Sequence, residues 1–82
     1  MKHFVYMIKT VNSKINKTYV GYSGNPEKRL KKHNSNKGAK STKGHNWKLI
    51  YVKKFKSRSK ALSYEYYLKR DRKMRKIIIN KS

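Results

Sequence analysis

Residues 4–10, FVYMIKT, are apolar on both alternating faces of an extended chain. A strand of this kind is covered on two sides, whereas a strand with one face in water alternates apolar and polar residues. We therefore predict that this stretch is the central strand of a sheet. The polar segment 11–16, VNSKIN, separates it from a second β-prone run at 17–23, KTYVGYS. Residues 4–23 are thus predicted to form an antiparallel hairpin with a six-residue loop.

A helix is predicted directly after the hairpin. Asn25 can cap its N-terminus, Pro26 suits the first helical position, and Glu27 lies in the first turn, where the helix dipole favours an anion. Residues 35–46, SNKGAKSTKGHN, are rich in Gly, Ser, Thr and Lys. This composition indicates either a basic flexible loop or a short irregular helix.

A third strand is predicted at residues 47–55, WKLIYVKKF. Its alternation places Trp47, Leu49 and Tyr51 on one face and leaves the other face wetter. The strand would complete a small antiparallel sheet with the hairpin.

Two helices are predicted to follow the third strand. Ser57 or Ser59 can cap a helix that runs to about Lys69. The stretch 72–79, RKMRKIII, indicates a short terminal helix with three apolar residues at helical spacing: Met74, Ile77 and Ile78. The predicted order is β-β-α-β-α-α, an α+β fold in which a three-stranded antiparallel sheet is flanked by about three helices. With 82 residues, we expect one domain over residues 1–82.

The net charge of the chain indicates the class of molecule that it binds. It has 24 Lys and Arg against 3 Asp and Glu, a formal net charge of +21. A polyanion would relieve the resulting self-repulsion, so nucleic acid is the expected partner. No apolar run approaches the roughly 20 residues of a membrane-spanning helix, and the N-terminus does not read as a signal peptide. Because the chain has no Cys, we expect no disulfide and a cytoplasmic protein. Nothing in the sequence indicates an oligomeric state.

One of the three acids is in an unexpected place, within SYEYYLKR at residues 63–70. The stripe of this predicted helix that should face the core contains five residues: Ala61, Leu62, Glu65, Leu68 and Lys69. A half-buried carboxylate is costly unless it is paired or binds a cation. Two explanations for Glu65 therefore stay open. It forms an i,i+4 ion pair with Lys69, or it is an oxygen ligand for a divalent ion such as Mg²⁺.

Four other residues are candidates for chemistry, although each is a weak signal by itself. Arg29 and His33 are i,i+4 neighbours on the first helix and border the core. Each could act on a phosphate or simply pack. Tyr6 and Tyr19 lie on the two hairpin strands, where pairing could bring them to one face. The chain has seven Tyr, however, so most of them must be core residues or stacking platforms for nucleic acid.

Taken in order, these residues resemble a known family. VYM at 5–7, YVG at 19–21, RLKKHN at 29–34 and the Glu of YEYYLK at 64–69 resemble the GIY-YIG nuclease superfamily, particularly its small stand-alone members. The resemblance extends from Phe4 to about residue 76 and includes the loop GAKSTKG and the helix start SRSKAL. Phe4 stands where the first motif of the family has Gly. The resemblance implies a three-stranded antiparallel sheet packed with helices.

The resemblance also implies a catalytic set of residues by position. The catalytic set would be Tyr6, Tyr19, Arg29, His33 and Glu65. Four further residues are predicted to accommodate or contact the substrate: Gly21, Lys69, Lys40 and Lys43.

The roles of the catalytic set follow from what phosphodiester hydrolysis requires. Glu65 would hold Mg²⁺ or Mn²⁺, and Arg29 would contact the scissile phosphate through its planar donor fork. Tyr6 would be the general base or orient the water, which calls for a phenol pKa lowered from about 10. Tyr19 and His33 would support proton transfer. Which of these groups takes the proton is not determined by the sequence.

We therefore expect a metal-dependent endonuclease that hydrolyses DNA with little sequence specificity, since so small a domain has little surface for reading bases. The alternative is a non-catalytic basic module that binds nucleic acid. Glu65 separates the two, because a pure binder gains nothing from a carboxylate facing phosphate. The choice between DNA and RNA, and between single-stranded, duplex and branched substrates, stays open.

Overall fold

The computed structural model describes residues 2–12, 14–38 and 40–82. Ser13 and Ala39, which fall in the two predicted loops, lie outside the described residues. Along the chain, the elements are β1 (His3–Val11), β2 (Thr18–Ser23), α1 (Pro26–Asn34), a 3-10 turn (Lys40–Thr42), β3 (Asn46–Phe55), α2 (Arg58–Arg70) and α3 (Arg72–Lys81). The predicted order β-β-α-β-α-α and the α+β class are confirmed. In the described part of the chain, no helix combines the length and the apolar character that crossing a membrane requires.

The strand β1 is the centre of the sheet, as its two apolar faces predicted. The strand order is β2-β1-β3, and both pairings are antiparallel. Val5 and Met7 pack with residues of α2 and α3 on one side of the sheet, and Tyr6 and Ile8 pack with α1 on the other. All four side chains are 0% exposed. The sheet therefore separates two apolar clusters, and Tyr6 belongs to the cluster on the α1 side.

A β-bulge changes the predicted facing of β3. Met7 pairs with Tyr51 while the next residue, Ile8, pairs with Leu49, so one residue of β3 is extra at this point. An extra residue reverses the alternation beyond it. Trp47 and Leu49 pack on the α1 side, as predicted for one face, but Tyr51 packs on the opposite side. The prediction that all three share a face is wrong because of this bulge.

The predicted helix starts are confirmed by their capping bonds. The Asn25 side chain accepts a hydrogen bond from the backbone N–H of Lys28 at 3.1 Å, and Ser57 accepts one from Lys60 at 3.2 Å. These bonds satisfy N–H groups that have no partner within the first turn of a helix. Asp71 lies between α2 and α3 and is the N-cap residue of α3.

The core faces of the last two helices differ in part from the prediction. Ala61 and Leu68 of α2 are buried as expected, but Leu62 is 37% exposed, and Tyr64 packs against the core instead. In α3, Ile78 is buried while Ile77 is 49% exposed. Helical spacing places apolar residues along one side of each helix but does not specify which edge of that side faces the core. The packing of the helices on the sheet decides this.

Candidate active site

Tyr6 and His33 form a buried pair on the α1 side of the sheet. Both side chains are 0% exposed. A hydrogen bond of 2.9 Å joins Tyr6 Oη to His33 Nε2. The central strand thus presents a phenol to the imidazole near the end of α1, and two of the predicted catalytic residues are in direct contact.

Tyr19 lies beside the same pair. In the β1–β2 register, Ile8 is opposite Tyr19 and Tyr6 is opposite Gly21. Because residues two apart on a strand share a face, Tyr6 and Tyr19 both lie on the α1 side. The Tyr19 ring centroid is 4.9 Å from that of His33 and 6.4 Å from that of Tyr6. The hairpin and α1 therefore bring three predicted residues into one cluster.

Gly21 is required by the position of Tyr6. A Cβ atom at residue 21 would lie 2.5 Å from Tyr6 Oη and 2.6 Å from Tyr6 Cζ. No side chain fits at this distance, so the glycine makes room for the phenol opposite it. We predicted that Gly21 accommodates the substrate. In the structure, its missing side chain leaves space for the Tyr6 ring.

Replacing Gly21 with Ala is expected to destabilise the protein by about 1–3 kcal/mol, because Tyr6 is buried and its ring has to shift. Urea unfolding measures this change. Gly24→Ala is the matched control, since its nearest contact would be an ordinary 3.5 Å to the Lys2 carbonyl oxygen. Equal stability of the Gly21→Ala variant and the wild type would contradict the close contact.

Arg29 supplies an unpaired donor to the site. Its Nε atom is buried and makes no hydrogen bond with any residue that the structure describes. The Tyr6 hydroxyl, within hydrogen-bonding reach of the guanidinium, raises the pKa of Arg29 more than burial lowers it, so the group stays charged. Buried donors normally have a partner. An anion such as a phosphate is therefore a fitting partner for Arg29.

Burial sets the protonation of the central pair. It raises the pKa of Tyr6 above its ordinary value of 10.0, and the Arg29 charge only partly offsets this. The protein's cations alone therefore do not produce the lowered phenol pKa that we expected of a general base. Burial, followed by the charge of Arg29, lowers the pKa of His33. At neutral pH, Tyr6 therefore keeps its proton and His33 is neutral.

Glu65 forms the i,i+4 pair that was one of its two predicted explanations. Its Oε2 lies 3.5 Å from Lys69 Nζ. The Glu65 side chain is only 18% exposed, against 49% for Lys69. The Glu65 charge also raises the pKa of Tyr6, though less than burial and the neighbouring Tyr19 do. The ion pair and a role in the site are thus both compatible with the position of Glu65.

A single carboxylate could hold only a divalent ion that keeps most of its own water. Among residues 2–12, 14–38 and 40–82, no three His, Cys, Asp or Glu side chains form a group that could hold a metal. Mg²⁺ commonly uses one or two carboxylates together with water and substrate phosphate. Asp71 caps α3 and Glu27 lies in the first turn of α1. Glu65 is therefore the acid of this chain that fits such an ion.

A cleft of about 270 Å³ opens at the edge of β2. Its lining consists of Thr18, Tyr19, Val20, Lys69 and Arg75. Lys69, predicted as a substrate contact, thus shares a cleft with the catalytic candidate Tyr19. Arg75, which sequence reasoning did not single out, also donates a hydrogen bond to the carbonyl oxygen of Leu68 at 2.8 Å.

The loop after α1 contributes residues that the sequence did not reveal. Lys40 and Lys43, predicted as substrate contacts, are both exposed. Between them, Thr42 is buried, and its Oγ1 lies 2.9 Å from His33 Nδ1. Gly38 is packed so closely on His33 that a Cβ there would overlap Nδ1. The short 3-10 turn matches the second of the two conformations predicted for this loop.

Comparison with known proteins gives concordant matches. The GIY-YIG catalytic domain model matches residues 2–77. A UPF0213 protein of Oceanobacillus iheyensis is 39% identical over 69 residues, which is 83% of this chain and 77% of that protein. A UPF0213 protein of Staphylococcus haemolyticus is 44% identical over 69 residues, covering 83% and 80%. The solution NMR structure of a UPF0213 protein from Bacillus halodurans has a TM-score of 0.57 and 33% identity, and the match covers 98% of this chain and 84% of that one.

Proposed function

The chain belongs to the GIY-YIG catalytic domain family, a family of nucleases, and on that basis we propose that it is a divalent-metal-dependent endonuclease that hydrolyses phosphodiester bonds in DNA. The observation that carries the proposal is the hydrogen-bonded pair of Tyr6 and His33 beside the Arg29 guanidinium. Proton transfer and a charged phosphate donor are both needed for hydrolysis of a phosphodiester.

Arg29 binds the scissile phosphate in this proposal. Its buried Nε has no partner among the described residues, so a phosphate oxygen would satisfy it. The guanidinium offers two parallel donors that match two phosphate oxygens. Negative charge grows on those oxygens in the transition state, and a fixed, desolvated donor stabilises it.

Tyr6 and His33 move the proton. Burial raises the pKa of Tyr6 and lowers that of His33, so transfer of the Tyr6 proton to His33 Nε2, 2.9 Å away, needs the additional positive charge that a bound metal ion would supply. The tyrosinate then takes a proton from the water that attacks phosphorus. The bond from phosphorus to the leaving oxygen breaks, that oxygen takes a proton from solvent, and the imidazolium of His33 loses its extra proton to solvent before the next turnover. Tyr19 packs against the His33 ring and keeps it in place.

Glu65 would hold the Mg²⁺ or Mn²⁺ ion, together with water and the substrate phosphate. When bound, such an ion supplies neutralisation of phosphate charge and acidifies nearby water. The same positive charge would offset the effect of burial on Tyr6, whose pKa Glu65 otherwise raises. Lys69, paired with Glu65 at 3.5 Å, is then available to turn from the carboxylate to a phosphate.

The charge of the chain supports a nucleic acid as the substrate. With a formal charge of +21, phosphate contacts should dominate binding and carry little sequence information. The exposed Lys40 begins the turn that covers His33 and the exposed Lys43 follows it, which suits them to guide a strand toward the site.

DNA affinity is expected to fall steeply with salt. If five phosphates are neutralised, a plot of log affinity against log salt has a slope of about −4 to −5. Replacing Lys40 and Lys43 together with Gln should reduce the magnitude of this slope by about two. Replacing the exposed Lys54 and Lys60 with Gln is the control for a loss of two charges elsewhere. Affinity that does not change with salt would contradict phosphate-dominated binding.

A second candidate function is non-catalytic binding of nucleic acid. The ion pair between Glu65 and Lys69 at 3.5 Å favours it, because the carboxylate already has a partner without a metal ion. Against it stands the unpaired, buried Arg29 Nε, which a binding surface does not need. We therefore rank catalysis first.

Incubation with labelled DNA decides between the two functions. The purified protein is mixed with single-stranded, duplex and branched DNA in Mg²⁺, in Mn²⁺ and in chelator. Cleavage products that require the metal ion support the endonuclease. Binding to every substrate without cleavage in either metal ion would support the binding module instead.

A further inference from the structure

Thr42 links the loop after α1 to the Tyr6–His33 pair. Its side chain is fully buried, and its Oγ1 lies 2.9 Å from His33 Nδ1. The other ring nitrogen, Nε2, is 2.9 Å from Tyr6 Oη. The imidazole is therefore held at both nitrogens, by a phenol on one side and by a threonine hydroxyl on the other.

The position of Thr42 is itself fixed by two other elements. The Trp47 indole N–H donates a hydrogen bond to the Thr42 carbonyl oxygen at 3.0 Å. Trp47 is tied to α1 through Asn34, whose Oδ1 accepts from the Trp47 backbone N–H at 2.6 Å and whose Nδ2 donates to the Trp47 carbonyl oxygen at 3.1 Å. The turn, β3 and the end of α1 thus form one connected unit around His33.

The loop also closes over Nδ1. The backbone at Gly38 approaches the ring so closely that no side chain fits there. His33 is fully buried, so solvent does not compete with Thr42 for this nitrogen. The hydroxyl of Thr42 is the hydrogen-bonding partner that the structure gives to Nδ1.

A neutral imidazole has one N–H and one lone pair, and the partner of one nitrogen decides which tautomer is present. His33 is neutral at neutral pH because burial and Arg29 lower its pKa. For Nε2 to accept the Tyr6 proton, the ring proton has to be on Nδ1. A hydroxyl that accepts from Nδ1–H stabilises this tautomer, and the same bond stabilises the imidazolium that forms when Nε2 takes a proton.

We propose that Thr42 is a positioning residue that holds His33 in the Nδ1–H tautomer, with Nε2 facing the Tyr6 hydroxyl. This inference rests on the proposed function, and it adds a residue on the loop to the proton path. The proton moves from Tyr6 Oη to His33 Nε2, and Nδ1–H donates to Thr42 Oγ1 before and after the transfer. Thr42 itself does not touch the substrate.

The first test is the tautomer of His33 in the wild type, read from nitrogen-15 chemical shifts of the imidazole at neutral pH. We expect a proton on Nδ1 and none on Nε2. A proton on Nε2 instead would overturn the proposal, whether or not the protein cleaves DNA. This measurement needs no variant, so it is decisive even where a substitution prevents folding.

The second test compares Thr42→Val with Thr42→Ser. Val removes the hydroxyl at nearly constant shape, whereas Ser keeps it. We expect Val to reduce cleavage by about 10–100-fold and to lose the single tautomer, with DNA affinity unchanged within about twofold. Ser should retain cleavage within about threefold of the wild type and the Nδ1–H tautomer. Equal losses in both variants would show that the hydroxyl by itself does not sustain cleavage and that the packing of the whole side chain matters, which would overturn the proposal.

Thr10→Val is the matched control. Thr10 is also buried, and its hydroxyl donates to the Ile15 carbonyl oxygen at 2.8 Å. Its loss should lower stability without changing the His33 tautomer. If the wild type shows the Nδ1–H tautomer and Thr42→Val loses it, but no protein cleaves DNA, the proposed nuclease function fails while the positioning of His33 stands.

Discussion

Replacing Glu65 with Gln is expected to abolish metal-dependent cleavage, a loss of about 100-fold or more, while DNA affinity persists or rises slightly. Gln has the same shape but no anionic oxygen for a divalent ion. Its neutral amide also removes a negative charge from the path of the DNA phosphates. Loss of the ion pair with Lys69 would not by itself explain a large loss of cleavage, since partly exposed pairs contribute only about 0.3–0.5 kcal/mol to stability.

The measurement pairs the cleavage rate in Mg²⁺ with DNA affinity at one salt concentration. Glu27→Gln is the matched control, because Glu27 is exposed in the first turn of α1 and the change in net charge is the same. Lys69→Gln breaks the ion pair from the other side and leaves the carboxylate in place. Cleavage that survives Glu65→Gln would refute the metal role and favour the binding module.

Replacing Arg29 with Lys is the second large effect. Cleavage should fall by about 100- to 1000-fold, while DNA affinity changes by less than about threefold. Lys keeps the positive charge but cannot offer two parallel donors to the phosphate. The transition state carries more charge on the phosphate oxygens than the bound substrate does. The substitution should therefore reduce the cleavage rate more than it reduces DNA affinity.

Single-turnover cleavage and equilibrium binding separate these two quantities. Arg58→Lys is the control for the same substitution at an exposed residue, the first of α2. If Arg29→Lys weakens cleavage and binding by the same factor, Arg29 is a docking residue and takes no part in stabilising the transition state.

Local signals predicted the elements of this fold well. The apolar faces of β1 and the caps Asn25 and Ser57 depend on residues close together in the sequence, and all three predictions are confirmed. The facing of Tyr51 was not predictable in this way. It depends on an extra residue in the pairing of β1 with β3, and a bulge is a property of two strands together.

The residues of the candidate site were likewise predictable from the sequence only in part. Its residues were named from an ordered resemblance, and the structure brings Tyr6, Tyr19, Arg29 and His33 into one cluster. Thr42 was missed, because a threonine in a Gly- and Lys-rich loop has no sequence feature that marks it as a partner of an imidazole nine residues earlier.

By itself, the sequence determined the α+β order of elements and the helix starts, and it led us to expect a polyanionic partner, because periodicity, capping and net charge are local or additive properties of the chain. Only the tertiary structure decided that Tyr6 bonds to His33, 27 residues away, and that Gly21 makes room for this phenol. It also decided the pKa of Tyr6, which burial raises, whereas the sequence had led us to expect a lowered pKa. Desolvation and hydrogen bonding depend on which groups the fold encloses together. No spacing along a single chain specifies that enclosure.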